Sequence, residues 1–226
     1  MKSVKVFGDS ILKRVVYEQK EQRYVVLPKE PLTRFAAQQK LHVDVQALFG
    51  CTITKGMQLL QRFVGKQNYS DYVLLEFGGN DCDYRWAEVA AEPTKEHKSQ
   101  TELPLFKQTL KKMITLLRTA HMEPILMSLP PIDSQRYLDH ICRSGLNKEA
   151  IVTWLGDVQA IARRQELYSL AVIHTATEYS CRLIDVRSGF LQHKAFSSLL
   201  CEDGIHPNEK GHELILSLIA SWRQGA

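Results

Sequence analysis

At 226 residues the chain is long enough for one substantial core, and no low-complexity segment marks off a second domain. Hydrophobic content of 44% and charged content of 24% are ordinary for a soluble globular domain. The net charge of +4 is spread along the chain, which argues against a nucleic-acid surface, and no apolar run reaches the ~20 residues needed to cross a bilayer.

The first residues, MKSVKVFGDS, enter a strand-like pattern directly and contain no apolar segment of signal-peptide length, so a cytoplasmic location is expected. Residues 3–7 read as the first strand and 42–46 as the second. The third and fourth, 72–77 and 124–127, are nearly continuous apolar runs, as expected when a parallel sheet is covered on both faces. Between them, residues 101–120 place Phe106, Leu110, Met113, Ile114 and Leu117 at the spacing of a helix buried on one side. Residues 149–179 keep steps of three and four and read as one long helix, with Gly156 as a candidate break. A fifth strand at 182–186 and a last helix at 208–222 complete the pattern.

Strands alternating with helices imply right-handed βαβ crossovers and a five-stranded parallel sheet between helix layers, in a single domain over residues 1–226. In such folds ligands collect at the carboxyl ends of the strands. Ser10 and Asn80 fall on that edge, and two long connections, 81–100 and 128–148, leave it.

Four stretches fall near that edge or carry reactive side chains: FGDSI (7–11), LFGCT (48–52), FGGND (77–81) and EDGIHPNEKGH (202–212). Each has a bland reading. Asp9-Ser10 suits a helix cap, Gly50 a simple turn, residues 78–81 a loop, and Pro207-Asn208 the start of the terminal helix. Acyl-ester hydrolysis accounts for all four together. A serine hydroxyl becomes a nucleophile when an imidazole removes its proton, and that imidazole needs a carboxylate on its other nitrogen. Asp203 and His206 are three residues apart, close enough for a tight turn to fold the acid onto the ring. The backbone N–H groups of Ser10 and Gly50 and the side-chain amide of Asn80 are candidate donors to the oxyanion.

These residues resemble the signature of the SGNH hydrolases, also called the GDSL lipase/esterase family. Ser10 in GDS, Asn80 in GGND and Asp203/His206 in DGIHP match it in type, order and position relative to the strands. The segment before Gly50, VQALFG, lacks the asparagine and additional glycine often found there, and Ile11 replaces the usual leucine. The resemblance implies a flavodoxin-like three-layer α/β/α sandwich. It implies Ser10 as nucleophile, His206 as base, Asp203 as its orienter, and Ser10, Gly50 and Asn80 as the oxyanion hole.

The expected activity is hydrolysis of small or medium acyl esters. The alternatives are an O-acetyl carbohydrate esterase or a non-catalytic ligand-binding domain on the same fold. Transfer to an alcohol other than water needs the same residues. Tyr84, Trp86 and Tyr137 sit in the two long connections, where packing of the loops and lining of a substrate pocket are both open readings. Asp139 is a further candidate for the rim, and Asp9 and Asp81 read as turn-fixing acids. No HExxH, GxxxxGK[ST] or GxGxxG pattern occurs, so neither a metal nor a nucleotide cofactor is expected. Cys51, Cys82, Cys142, Cys181 and Cys201 are odd in number and form no CxxC pair, so reduced thiols are expected.

Overall fold

The computed structural model describes residues 1–224; of the expected domain over 1–226, Gly225 and Ala226 lie outside the described residues. Strand β1 (Lys2–Gly8) is followed by an antiparallel hairpin, β2 (Val15–Glu18) and β3 (Arg23–Val26), and by helix α1 (Glu30–Gln38). Strand β4 (Leu41–Ala47) pairs parallel with β1, and α2 (Ile53–Gly65) leads to β5 (Tyr72–Glu76) on the other side of β1. Then come α3 (Trp86–Ala91), α4 (Leu103–Thr119) and β6 (Glu123–Met127). Helices α5 (Ser134–Cys142), α6 (Lys148–Leu155) and α7 (Ala160–Glu178) precede the edge strand β7 (Arg182–Ile184). Helix α8 (Val186–Leu191), a 3-10 turn at Phe196–Leu199 and α9 (Glu209–Gln224) follow.

The sheet is all parallel in the order β4-β1-β5-β6-β7, the flavodoxin-like order, with helices on both faces. This arrangement accounts for the unbroken apolar run in β5. Val73 and Leu75 pack into the layer that contains Phe106 of α4 and Tyr168 of α7, while Leu74 faces Phe190 of α8 and Ile215 of α9. Each side chain buried in this way contributes about 1.5–3 kcal/mol relative to exposure.

Three expectations need correction. The span 149–179 is two helices, because Gly156 takes φ +78, ends α6, and lets the chain re-enter as α7. The apolar period runs across the break because Ile151 and Ile161 face one cluster. Val186 opens α8 instead of extending β7, since the Asp185 carboxylate accepts the Ser188 N–H and caps that helix. The two long connections contain α3 and α5, while the β2–β3 hairpin, α1 and α2 add elements that the sequence pattern did not reveal.

Candidate active site

Strand β1 ends at Gly8 and β5 at Glu76, side by side in the sheet, so residues 9–10 and 77–80 emerge together at its carboxyl edge. The turn after β1 is fixed by Asp9, whose Oδ1 accepts the Ile11 N–H at 2.8 Å. Ser10 stands at its corner, 6% exposed.

From the far end of the chain, the loop after Leu200 closes on itself. Cys201 N–H donates to the His206 carbonyl at 2.8 Å and Gly204 N–H to the Cys201 carbonyl at 3.0 Å. Inside it, Asp203 Oδ1 accepts the N–H groups of Ile205 and His206, and Oδ2 lies 2.6 Å from His206 Nδ1. His206 Nε2 lies 2.9 Å from Ser10 Oγ. With the ring proton on Nδ1 facing the carboxylate, Nε2 is left as acceptor for the serine hydroxyl. Burial alone would raise the Asp203 pKa, but the His206 ring and the backbone N–H groups of His206 and Ile205 hold it below the usual carboxylate value. The turn is anchored on α5, where Asp133 N–H donates to the Gly204 carbonyl at 2.8 Å.

Asn80 Nδ2 donates to Asp9 Oδ2 at 2.9 Å and, more distantly, to the Cys51 carbonyl at 3.4 Å. Gly50 adopts φ +66, a backbone that favours glycine, and its neighbour Phe49 lines the cavity described below, whereas Gly50 does not. Asp81 turns away from Ser10 and caps α2 through the Ile53 N–H, with its carboxyl pushed up to about 7 by burial.

Ser10, Asn80 and His206 open into a cavity of about 290 Å³. Tyr84, Trp86 and Tyr137 all line it, and they also hold it together. Trp86 Nε1 and the Tyr137 hydroxyl each donate to Asp83 at 2.8 Å, while Tyr84 meets Trp86 and Trp154 edge-on. Burial pushes the Asp83 carboxyl up to about 6, although both donors act against that rise. Asp139 points elsewhere, to an exposed ion pair with Lys148.

Several lining residues were not anticipated. Tyr24, from the hairpin, and Phe49 lie over the His206 ring at centroid distances of 5.1 and 6.0 Å, and the Tyr24 hydroxyl is 3.0 Å from His140 Nε2. Nothing in the sequence ties positions 24, 49 and 140 to 206. Glu76 is fully buried, its Oε2 is 3.5 Å from the Asp9 N–H, and its Oε1 has no partner. Burial raises both the Asp9 and Glu76 carboxyls, and the Asp9 charge drives Glu76 further up. An acid ending the apolar run YVLLE was the available signal. Arg164 also lines the cavity. Among the described residues no group of three or more His, Cys, Asp or Glu is placed to hold a metal ion, and no helix is long and apolar enough to cross a membrane.

A family model for the GDSL-like lipase/acylhydrolase family matches residues 6–214. Among curated proteins, none matches in sequence. Among solved structures, a lipase/acylhydrolase from Enterococcus faecalis is similar at TM-score 0.69 and 19% identity, covering 100% of this chain and 96% of its own. LAE5, an alpha/beta hydrolase enzyme from the metagenome of Lake Arreo, is similar at TM-score 0.68 and 19% identity, with 99% and 95% covered. A catalytic mutant of Axe2, an acetylxylan esterase from Geobacillus stearothermophilus, reaches TM-score 0.68 at 16% identity, with 97% and 93% covered. At these identities the likeness is one of fold.

Proposed function

We propose, because this chain belongs to the GDSL-like lipase/acylhydrolase family and because one chain of hydrogen bonds joins Asp203, His206 and Ser10, that it is a serine ester hydrolase acting through an acyl-enzyme. The same reading takes residues 1–226 as one hydrolase domain working in a reducing, cytoplasmic setting, where its five free cysteines remain thiols. The observation that carries it is the unbroken path from Asp203 Oδ2 through the imidazole to Ser10 Oγ.

In the first step Ser10 Oγ bonds to the ester carbonyl carbon while its proton passes to His206 Nε2. Asp203 holds the ring orientation and stabilises the imidazolium. The carbonyl oxygen becomes an oxyanion, received by the N–H of Ser10, the N–H of Gly50 and the amide of Asn80. Asn80 is suited to this because Asp9 fixes one of its hydrogens, while the other has only the distant Cys51 carbonyl to give up. The reading of Gly50 as a donor is supported by its neighbours, since Phe49 stacks on His206 and the Cys51 carbonyl meets the Asn80 amide. Collapse breaks the ester C–O bond, and His206 returns its proton to the departing alcohol. Water then repeats the sequence on the acyl-serine.

A cavity of about 290 Å³ lies at the small end of ligand sites, which favours small or medium acyl groups. An O-acetyl carbohydrate is the second reading, supported by the Tyr84 and Trp86 rings in the lining and by the acetylxylan esterase among the fold relatives. The test is hydrolysis of para-nitrophenyl acetate by wild type and Ser10→Ala without added metal. Turnover lost in the variant supports the mechanism; turnover retained in it removes Ser10 as nucleophile. Tight ester binding with no turnover in either protein would favour a binding domain.

A further inference from the structure

We infer that Arg164 makes this cavity selective for esters carrying an anionic group, such as a carboxylate, on either the acyl or the alcohol portion. The inference rests on the ester-hydrolase reading and adds a substrate class to it. Among the described residues lining the cavity, Arg164 is the only lysine or arginine. It projects from the first turns of α7 and is held from three sides. Its Nη2 donates to the Ser99 hydroxyl at 2.9 Å, and its guanidinium lies 5.4 Å from the Tyr84 ring centroid and 5.6 Å from that of Tyr168. A side chain fixed by stacking loses little further freedom when it binds a ligand.

Arg164 also lacks a counter-charge. Its neighbour Arg163 is neutralised by Asp157 through contacts of 3.1 and 2.7 Å. Among the described residues Arg164 makes no ion pair, and its Nε is buried without a hydrogen-bond partner. The acids that line the cavity are occupied elsewhere. Asp83 accepts from Tyr137 and Trp86, Asp9 accepts from Asn80 and Ile11, and Glu76 Oε2 faces the Asp9 N–H at 3.5 Å. A half-buried guanidinium without an anion of its own, bordering ligand space, offers a fork of donors that a carboxylate matches and a neutral acyl chain leaves unmatched. Arg164 also borders an outer recess beside Trp154, so it stands where the cavity approaches the surface.

Two pairs of esters test the inference, with each rate normalised to hydroxide-catalysed hydrolysis. The mono-para-nitrophenyl ester of glutaric acid against para-nitrophenyl butyrate places the charge on the acyl side. Para-acetoxybenzoate against its methyl ester places it on the alcohol side. In one pair the wild type should favour the anion by about tenfold or more, and the preference should shrink with rising salt. Arg164→Gln should lower that anionic-to-neutral ratio of kcat/KM by about tenfold or more, with Arg164→Lys between. No preference in either pair, or a ratio unchanged in Arg164→Gln, overturns the inference. If the variants do not fold, the wild type decides, since a preference insensitive to salt overturns it equally. Calorimetric binding of glutarate monomethyl ester to Ser10→Ala separates the two readings. Salt-sensitive binding there, with no ester turned over by wild type, keeps the anion site and discards the hydrolase.

Discussion

Replacing Gly204 by alanine should damage stability and rate together. Gly204 sits at φ +76 between Asp203 and His206, and a left-handed backbone costs an alanine about 1–2 kcal/mol. An added Cβ would lie 2.6 Å from the Asp133 carbonyl oxygen, 2.8 Å from the Tyr137 backbone nitrogen and 2.8 Å from Arg136 Cβ. Those atoms belong to the first turn of α5 and its cap, so they cannot swing aside as a flexible side chain would. Overpacking of this kind costs about 1–3 kcal/mol, giving about 2–5 kcal/mol in all. For a chain of this size that lowers Tm by at least about 4 °C. If the turn relieves the clash by moving off α5, it carries His206 with it, and a displacement of about 1 Å costs on the order of 10²-fold in rate. Urea denaturation and kcat/KM on para-nitrophenyl acetate measure the two effects. Gly204→Asn, which tolerates the backbone angle but keeps the Cβ, should be destabilised slightly less. A Gly204→Ala protein with wild-type midpoint and wild-type rate would refute both the packing argument and the link between this turn and the base.

Asn80→Ala should lower kcat by about 10²–10³-fold, the loss of one oxyanion donor, and a folded variant at full rate would take Asn80 out of the mechanism. His212 is buried with Nε2 3.2 Å from the Val15 carbonyl, and burial lowers its pKa to about 4, while the unfolded chain binds that proton near pH 6.5. The unfolded state therefore holds more protons between those values, so stability falls as pH drops from about 6.5 to about 4, by about 3 kcal/mol from this group. In His212→Gln the urea midpoint should change less over that range; an identical slope would exclude His212 as the source. Tyr137→Phe removes one of the side-chain donors to the buried Asp83 and should cost about 1–3 kcal/mol, with the carboxyl rising further above its value of about 6. Carboxyl titration by NMR and denaturant midpoints would show it, and an unshifted Asp83 would mean that the hydroxyl contributes nothing.

β5 and β6 were legible because each is a nearly unbroken apolar run, a pattern that needs no knowledge of the partner strands, while β1 and β4 showed as alternations, Val4 and Val6 between Ser3, Lys5 and Phe7, and Val43 and Val45 between His42, Asp44 and Gln46. Ser10, Asp203 and His206 were legible because turn chemistry is local: an Asx turn presents the serine, and the acid and base share one loop. The β2–β3 hairpin was not, since its turn carries Gln22 at φ +52 without a glycine, asparagine or proline to mark it. α1 was hidden for a different reason, because it has no fully buried residue and its apolar stripe is short. Gly156 marked a candidate break between α6 and α7, but the apolar spacing that runs through it favoured a single helix. Tyr24, Phe49, His140 and Arg164 reach the cavity from four separate elements or turns, and no period or motif links such positions. Glu76 was visible as an acid closing an apolar strand, yet only its burial beside Asp9 shows why its carboxyl is raised.

Ser10 and His206 are 196 positions apart in the chain, at the first strand and the last loop of the fold. At a synthesis rate of about 5–20 residues per second, roughly 10–40 s separate the appearance of one from the other on the ribosome. During that interval the growing polypeptide carries a serine with no base. A truncated translation product that stops before Asp203 can fill much of the sheet and still lack the group that deprotonates it. Under the proposed mechanism, reactivity is thus a property of the finished contact between the first turn and the last loop, and hydrolysis reports directly on whether the polypeptide has closed.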